Sequence, residues 1–238
     1  MSGKGSMRPA IILFARAPVP GRVKTRLCPF LDATNAADLH SAFVRDALEL
    51  LEKLSGVADI ELSTDVETDA WQDFAVARSL QGQGDLGDRL FHALGTALGA
   101  GRPRAMVVGS DSPGLPAGYL AELLRLDTDT AMGPTEDGGF YAIACRRTAL
   151  GMLNGVRWSS PDTLEDTKHA VLSCSLTAGF GQPWFDIDEP PDLLRLRTLV
   201  DLPRHTAAWL ASNEVRLSAL PTQPRPQTRG DSRSRSRP

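Results

Sequence analysis

Cysteine is scarce in this chain. Cys28, Cys145 and Cys174 make an odd count with no closely spaced pair, so neither a disulfide framework nor a zinc site is expected. Cys145 and Cys174 sit in apolar surroundings that suit buried thiols. Long hydrophobic runs are also missing. The first apolar run, Ala10–Ala15, is too short for the core of a secretory signal, and no stretch approaches the ~20 residues of a membrane span. A soluble, cytoplasmic protein with no membrane partner is expected. Positive charge is in deficit as well. The 238 residues carry a formal net charge of −3, and Pro221–Pro238 hold five arginines against one aspartate, which leaves −7 on the remainder. An acidic body excludes a general nucleic-acid partner. The four histidines, His40, His92, His169 and His205, are scattered over expected helices, and none is taken as a catalytic group.

What is present is an ordinary globular composition, 42% hydrophobic and 23% charged, with no repeat and no linker before residue 220. Residues 1–8 read as a flexible N-terminus, 9–216 as one domain and 217–238 as a disordered basic tail, rich in Pro, Arg and Ser without periodicity. Within the domain, short apolar runs alternate with helical patterns. Ala10–Ala15, Ala58–Thr64, Arg78–Gln81, Arg104–Ser110, "TAMGPT", "GFYAIAC" and a segment near "SLTAGF" read as strands. Between Asn35 and Leu54, Leu39, Phe43, Ala47, Leu50 and Leu54 share one helical face. A short helix is expected at Asp69–Ala77, another opened by "GQGDLGDRL" with Leu86, Leu90, Leu94 and Leu98 in a row, another at "LPAGYLAELLRL", and one capped by Ser160 with Pro161 at its first position. A last helical stretch runs to about Arg216. Such alternation predicts an α/β fold with a mostly parallel sheet and helices on both faces.

In open α/β sheets ligands bind beyond the carboxyl ends of the strands, so the loops after strands carry the functional reading. "ARAPVPGRVKTRL" follows the first strand and concentrates Arg16, Arg22, Lys24 and Arg26 on a segment stiffened by Pro18 and Pro20, with Thr25 and Leu27 placed to pack. Arginine forks onto two phosphate oxygens and lysine acts as a point charge, so the loop is expected to bind phosphates. It is not a Walker A loop, because Gly21 does not directly precede Lys24. "GQGDLG", Gly82–Gly87, satisfies G-x-G-x-x-G but follows a short charged strand. Gly84 and Asp85 are expected to line a nucleotide pocket, with a dinucleotide-binding oxidoreductase as a rival reading. "VVGSDSPGLP" delivers Asp111 at the tip of an apolar strand, where a carboxylate is costly unless solvated or liganded. In "FDIDEPPDL", Asp186 and Asp188 are expected to point to opposite sides, so that only one meets Asp111. Asp188 is the expected metal ligand with Asp111, Asp186 the reserve, and Asp192 a structural acid in a first helical turn. In "GPTEDGGFYAI", Glu136, Asp137 and Gly138 form a turn between two strands and are candidates for acceptor binding. Cations that hold phosphates and acids that hold Mg²⁺ or Mn²⁺ make one split site.

Six segments, "ARAPVPGRVKTRL", "QGQGDLGDRL", "VVGSDSPGLP", "GPTEDGGFYAI", "WSSPDTL" and "FDIDEPPDL", resemble in their order the rSAM/selenodomain-associated transferases of the GT-A-like nucleotide-diphospho-sugar transferase superfamily. The resemblance spans roughly Pro9 to Val200. "SDSPGLP" is similar to the D-x-P-x-L stretch of molybdenum-cofactor and phospholactate guanylyltransferases, and "DIDEPPDL" is similar to a family segment whose aspartate, Asp188 here, is a metal ligand. The resemblance implies a GT-A/Rossmann-like three-layer α/β/α sandwich with a mixed sheet, and a metal-dependent transferase. Ser110-Asp111-Ser112 lacks the second acid of the D-x-D usual in sugar transferases of this fold. The expected activity is therefore nucleotidyl transfer from a nucleoside triphosphate to a small phosphate or phosphonate acceptor, with Lys24 and Asp111 as catalytic residues. Sugar transfer from a nucleotide-diphospho-sugar is the alternative, and a non-catalytic nucleotide-binding protein the alternative from another class. The sequence leaves the oligomeric state open.

Overall fold

Every residue of the run Ala10–Ala15 is buried, which a strand achieves only at the centre of a sheet covered on both faces. The computed structural model describes residues 7–213. In it this run is β1 of a seven-stranded sheet, with β2 at Asp59–Thr64, β3 at Ala77–Leu80, β4 at Ala105–Gly109, β5 at Thr130–Pro134, β6 at Phe140–Cys145 and β7 at Ala178–Phe180. The order is β3-β2-β1-β4-β6-β5-β7. β6 alone runs antiparallel to its neighbours β4 and β5; the other pairings are parallel. The expected tail, 217–238, lies outside the described residues. Of the expected N-terminal segment, Arg8 pairs with Asp59 at the start of β2 and donates to the Ser55 carbonyl. No helix among the described residues is long and apolar enough to cross a membrane.

Strand alternation sends neighbouring side chains to opposite cores. Ile11, Leu13, Met106 and Val108 meet Leu48 of α1 (Ala33–Glu52) and Leu120 of α3 (Ala117–Arg125) on one face. Ile12, Phe14, Val107 and Ile143 meet Leu94 of α2 (Leu86–Gly99) and Val171 of α4 (Thr163–Ser173) on the other. A third cluster closes the outer side of α1. There Leu31, Phe43, Ile187 and Leu193 pack with Trp209, carried by α5 (Leu193–Leu196) and α6 (Arg204–Ser212).

Three expected elements differ. No helix forms at Asp69–Ala77. Trp71 is buried, adopts a left-handed backbone with φ 61° and donates from Nε1 to Ser41, while Arg78 takes the carbonyls of Ala70 and Trp71; tertiary anchoring overrides local propensity. α4 starts at Thr163 rather than Pro161, because the Ser160 hydroxyl accepts the Asp162 N–H and closes a separate turn before the helix. The last helical stretch is broken. A 3₁₀ turn at Pro190–Asp192 leads into α5, and Pro203 then restarts the chain as α6, since proline restricts the residue before it and lacks a donor.

One carboxylate takes two backbone donors at the start of α6. Buried Asp46 of α1 accepts from the backbone N–H of His205 and Thr206 and from the Thr206 hydroxyl, at 2.6–2.8 Å. Asp46→Ala strips three donors of their acceptor and is expected to cost about 1–3 kcal/mol, read as a lower urea midpoint. An unchanged midpoint would contradict this role.

Candidate functional site

The basic loop leaves β1 at the carboxyl edge of the sheet and is pinned from beneath. The Ala17 N–H donates to Asp65 at 2.8 Å. His40 of α1, almost fully buried, reaches the Arg16 carbonyl with Nε2 at 2.9 Å. Burial lowers the His40 pKa and keeps the ring neutral, and a carbonyl can only accept, so Nε2 carries the proton. Backbone bonds from Val19 to Ala17 and from Arg22 to Val19 then fold the loop. Arg16, Arg22 and Arg26 are exposed. Arg16 reaches only the Arg22 carbonyl, at 3.4 Å, and neither Arg22 nor Arg26 pairs with an acid among the described residues. Leu27 packs inward as expected, whereas Thr25 stays exposed at the start of a 3₁₀ turn.

Lys24 alone turns in. Its backbone is left-handed, φ 47° and ψ 38°, a conformation that costs a non-glycine residue roughly 1–2 kcal/mol. The side chain explains why it persists. Nζ lies 2.6 Å from the Ile187 carbonyl, 3.0 Å from Asp188 Oδ1 and 2.8 Å from Asp111 Oδ1, with the Phe43 ring 5.6 Å away. The lysine side chain is only 4% exposed, while Asp111 and Asp188 open outward at 46% and 36%. Burial opposes the ammonium charge, but the carboxylates of Asp111 and Asp188 outweigh it and raise the Lys24 pKa. Burial likewise opposes the Asp111 charge, and Lys24 outweighs it, leaving that pKa lowered.

The acids come from three loops. Asp111 follows β4, and its carbonyl accepts the Ile187 N–H at 3.0 Å, which brings the segment after β7 alongside. The expectation that Asp186 and Asp188 face opposite sides is corrected here. Residues two apart on extended chain share a face; Ile187 between them is fully buried in the outer cluster, and both acids turn to the site. Carboxylate oxygens of Asp137, Asp186 and Asp188 all lie within 4.8 Å of one another. Burial, then the neighbouring charges of Asp137 and Asp188, push the Asp186 pKa up to about 7. Asp137 is oriented by the Thr135 hydroxyl at 2.6 Å and the Gly139 N–H at 3.0 Å. Asp192 is structural as expected, accepting the N–H groups of Asp188 and Glu189.

This set fits a hard divalent cation. Three clustered carboxylates, those of Asp186 and Asp188 half-buried, supply oxygen ligands. Asp111 and Asp188, the pair expected to hold the metal, both contact the Lys24 ammonium, and Asp188 also clusters with Asp186 and Asp137. A second acidic cluster, Asp46, Glu49 and His205, is already engaged. Asp46 caps α6, and Glu49 pairs with Arg204 and His205.

The remaining candidates divide. Glu136 forms a two-point ion pair with Arg195 at 2.7 and 3.0 Å, and Arg195 stacks on Phe185 at 4.0 Å, which fastens the turn to α5. Gly138 has φ +93°, and a Cβ there would lie 1.9 Å from the Pro161 carbonyl oxygen, so the turn closes on the loop before α4 only with glycine. Asp85 caps α2 in a reciprocal box with Asp88 at 2.9 and 3.1 Å, and Gly84 lies in the exposed turn before it. That turn follows edge strand β3 rather than central β1, unlike a dinucleotide fingerprint. Sequence reasoning missed the groups that brace the loops: His40, Asp65, and Gln81, whose amide ties the carbonyls of Ala15 and Ser63 while Arg89 binds its oxygen. Their partners lie far away in sequence, and nothing local marks them.

Sheet order, the single reversed strand and a charged centre at the carboxyl edge define a Rossmann-type α/β fold of the kind seen in nucleotide-diphospho-sugar and nucleotidyl transferases. A protein of Desulfovibrio desulfuricans G20, provisionally described as a nucleotide-diphospho-sugar transferase, matches at 29% identity and a TM-score of 0.79, over 89% of this chain and 97% of that one. Two more distant structures share the fold. A CMP:2-keto-3-deoxy-manno-octonic acid synthetase complexed with CTP matches at 15% identity and TM-score 0.54, over 80% and 97% of the two chains. A cytidylyltransferase of Leptospira borgpetersenii serovar Hardjo-bovis matches at 13% and 0.51, over 92% and 98%. Residues 56–160 match the family model described as an uncharacterized protein conserved in bacteria (DUF2064). Comparison with curated proteins gave no match.

The Lys24 centre has a pH signature. A lowered Asp111 pKa gives stability that is present above the ordinary carboxylate range and lost as pH falls through the folded value. A raised Lys24 pKa gives stability present below the ordinary lysine pKa and lost as pH climbs through the folded value. The stability difference between wild type and Lys24→Met is expected to be widest between about pH 5 and pH 10 and to narrow on either side. Urea titrations across that range check it, and a difference independent of pH contradicts it.

Proposed function

We propose that this protein is a metal-dependent, nucleotide-using transferase that transfers a nucleotidyl group from a nucleoside triphosphate. The observation that carries the reading is the Lys24 ammonium, buried between Asp111 and Asp188, on the same loop that presents Arg16, Arg22 and Arg26 to solvent. Three exposed arginines suit a flexible polyanion, and one fixed ammonium suits charge that builds at a defined place. Asp188 with Asp186 and Asp137, and Asp111 beside them, would hold Mg²⁺ or Mn²⁺. Such an ion supplies Lewis-acid polarisation of phosphate oxygens.

In the proposed step an acceptor oxygen forms a bond to the α-phosphorus, the bond from that phosphorus to the bridging oxygen breaks, and pyrophosphate leaves with the electron pair. Arg16, Arg22 and Arg26 bind the phosphate tail. Lys24 balances negative charge on the transferring group, and His40 and Asp65 keep the loop in place. Likeness in fold to a CTP-bound synthetase and a cytidylyltransferase supports this class. Sugar transfer from a nucleotide-diphospho-sugar is the second reading, favoured by the description of the Desulfovibrio protein; Ser112 in place of a second acid weighs against it. A non-catalytic nucleotide-binding protein is the reading from another class.

Incubation with Mg²⁺ and a panel of nucleoside triphosphates, nucleotide sugars and acceptors separates the three. Pyrophosphate release is expected; release of a nucleoside diphosphate from a sugar donor would establish the second reading, and binding without turnover the third. Lys24→Ala is expected to weaken triphosphate binding about tenfold, near 1.4 kcal/mol, and monophosphate binding less. Equal losses would remove Lys24 from the phosphate site.

A further inference from the structure

Beside the 82–87 turn lies a cleft of about 190 Å³, lined by Asp85, Asp88, Phe91, Leu153, Asn154 and Trp158. It falls below the ~300–1,000 Å³ of drug-sized pockets, which suits one small ring rather than a second nucleotide. Trp158 packs over the first turn of α2, where a Cβ on Gly87 would come 3.0 Å from the indole. Three residues on, Pro161 closes against Gly138, and the Leu164 N–H donates to the Gly138 carbonyl at 2.8 Å. Gly138 adjoins Asp137 of the acidic trio. The cleft is therefore bounded by the 82–87 turn on one side and by the loop seated on the Asp137 turn on the other.

The chemistry of the lining is selective. No lysine, arginine or histidine is among the lining residues. The capping box at the amino end of α2 takes the backbone N–H groups of Asp85 and Asp88 and holds both carboxylates at that end of the cleft. A phosphate or phosphonate entering here meets two carboxylates and no positive charge, which costs free energy. What the cleft does offer is aromatic and amide surface. Trp158 is half-buried, held edge-on by Phe140 at 6.2 Å and 75°. The Asn154 side chain is exposed and has no hydrogen-bond partner among the described residues, leaving a donor and an acceptor free for hydroxyl groups.

We infer that this cleft is the acceptor's seat and that the acceptor is an uncharged, hydroxyl-bearing ring such as a sugar, rather than the phosphate or phosphonate expected from sequence. This rests on the proposed transferase reading and holds for either donor. With a triphosphate donor, the acceptor hydroxyl oxygen bonds to the α-phosphorus, pyrophosphate leaves with the electron pair, and the hydroxyl proton passes to water.

The test is saturation-transfer NMR on the full chain with Mg²⁺ and nucleotide, using glucose, mannose, ribose and glycerol against their own phosphate esters. A neutral probe is expected to bind better than its ester. Trp158→Ala should weaken it about tenfold, and Trp158→Phe should restore most of that. Asn154→Lys, an exposed change that the fold tolerates, should swing the preference toward the ester by about tenfold. Nucleotide affinity, measured separately, should stay within about twofold in all three variants. Esters preferred by wild type, no neutral probe bound, or binding indifferent to both positions would overturn the inference. Failure of nucleotide itself to bind would instead overturn the transferase reading.

Discussion

A lysine ammonium held by two carboxylates and a carbonyl organises this molecule's carboxyl edge. Lys24 reaches Asp111, Asp188 and the Ile187 carbonyl at once, and so joins the loop after β1, the loop after β4 and the segment after β7. A buried charge of this kind is tolerable only when paired and hydrogen-bonded. The left-handed backbone at Lys24 and the buried His40 beneath the loop are features the pairing requires and sustains. Because both carboxylates stay open to solvent on their outer sides, the centre is compensated without being closed, which leaves room for ligand phosphates or a metal.

The sheet supplies the rigidity behind it. β1 is buried on both faces, and its neighbours β2 and β4 run parallel to it, so the loops that leave β1 and β4 emerge side by side. Reversal of β6 places the β5–β6 turn, with Asp137, at the same edge. The isolated bridge between Thr135 and Trp184, and the Trp184 indole bond to the Pro113 carbonyl at 3.2 Å, draw the last acidic segment in. Charge of opposite sign thus converges from parts of the chain as far apart as residues 24 and 188.

Much of this was legible in the sequence. Apolar runs and turn residues disclosed the alternating elements and the α/β class, and position after strands singled out Lys24, Asp111 and Asp188. The misreadings have physical causes. Asp186 shares the face of Asp188 rather than the opposite one, as the two-residue period of extended chain requires. Trp71 displaced an expected helix because its indole finds a buried partner on α1 that no local pattern reveals. The pairing of Glu136 with Arg195, 59 residues away, is likewise beyond any local pattern. The acidic and aromatic character of the cleft near Trp158 needed three segments brought together, which spacing alone does not report.

Anomalous diffraction from crystals grown with Mn²⁺ and a nucleoside triphosphate tests the central claim most directly. The account predicts the manganese peak on Asp188 and at least one of Asp111, Asp137 and Asp186, with the phosphates along Arg16, Arg22, Lys24 and Arg26. A peak at Asp46, Glu49 and His205, or a nucleotide seated away from the carboxyl ends of β1 and β4, would contradict it.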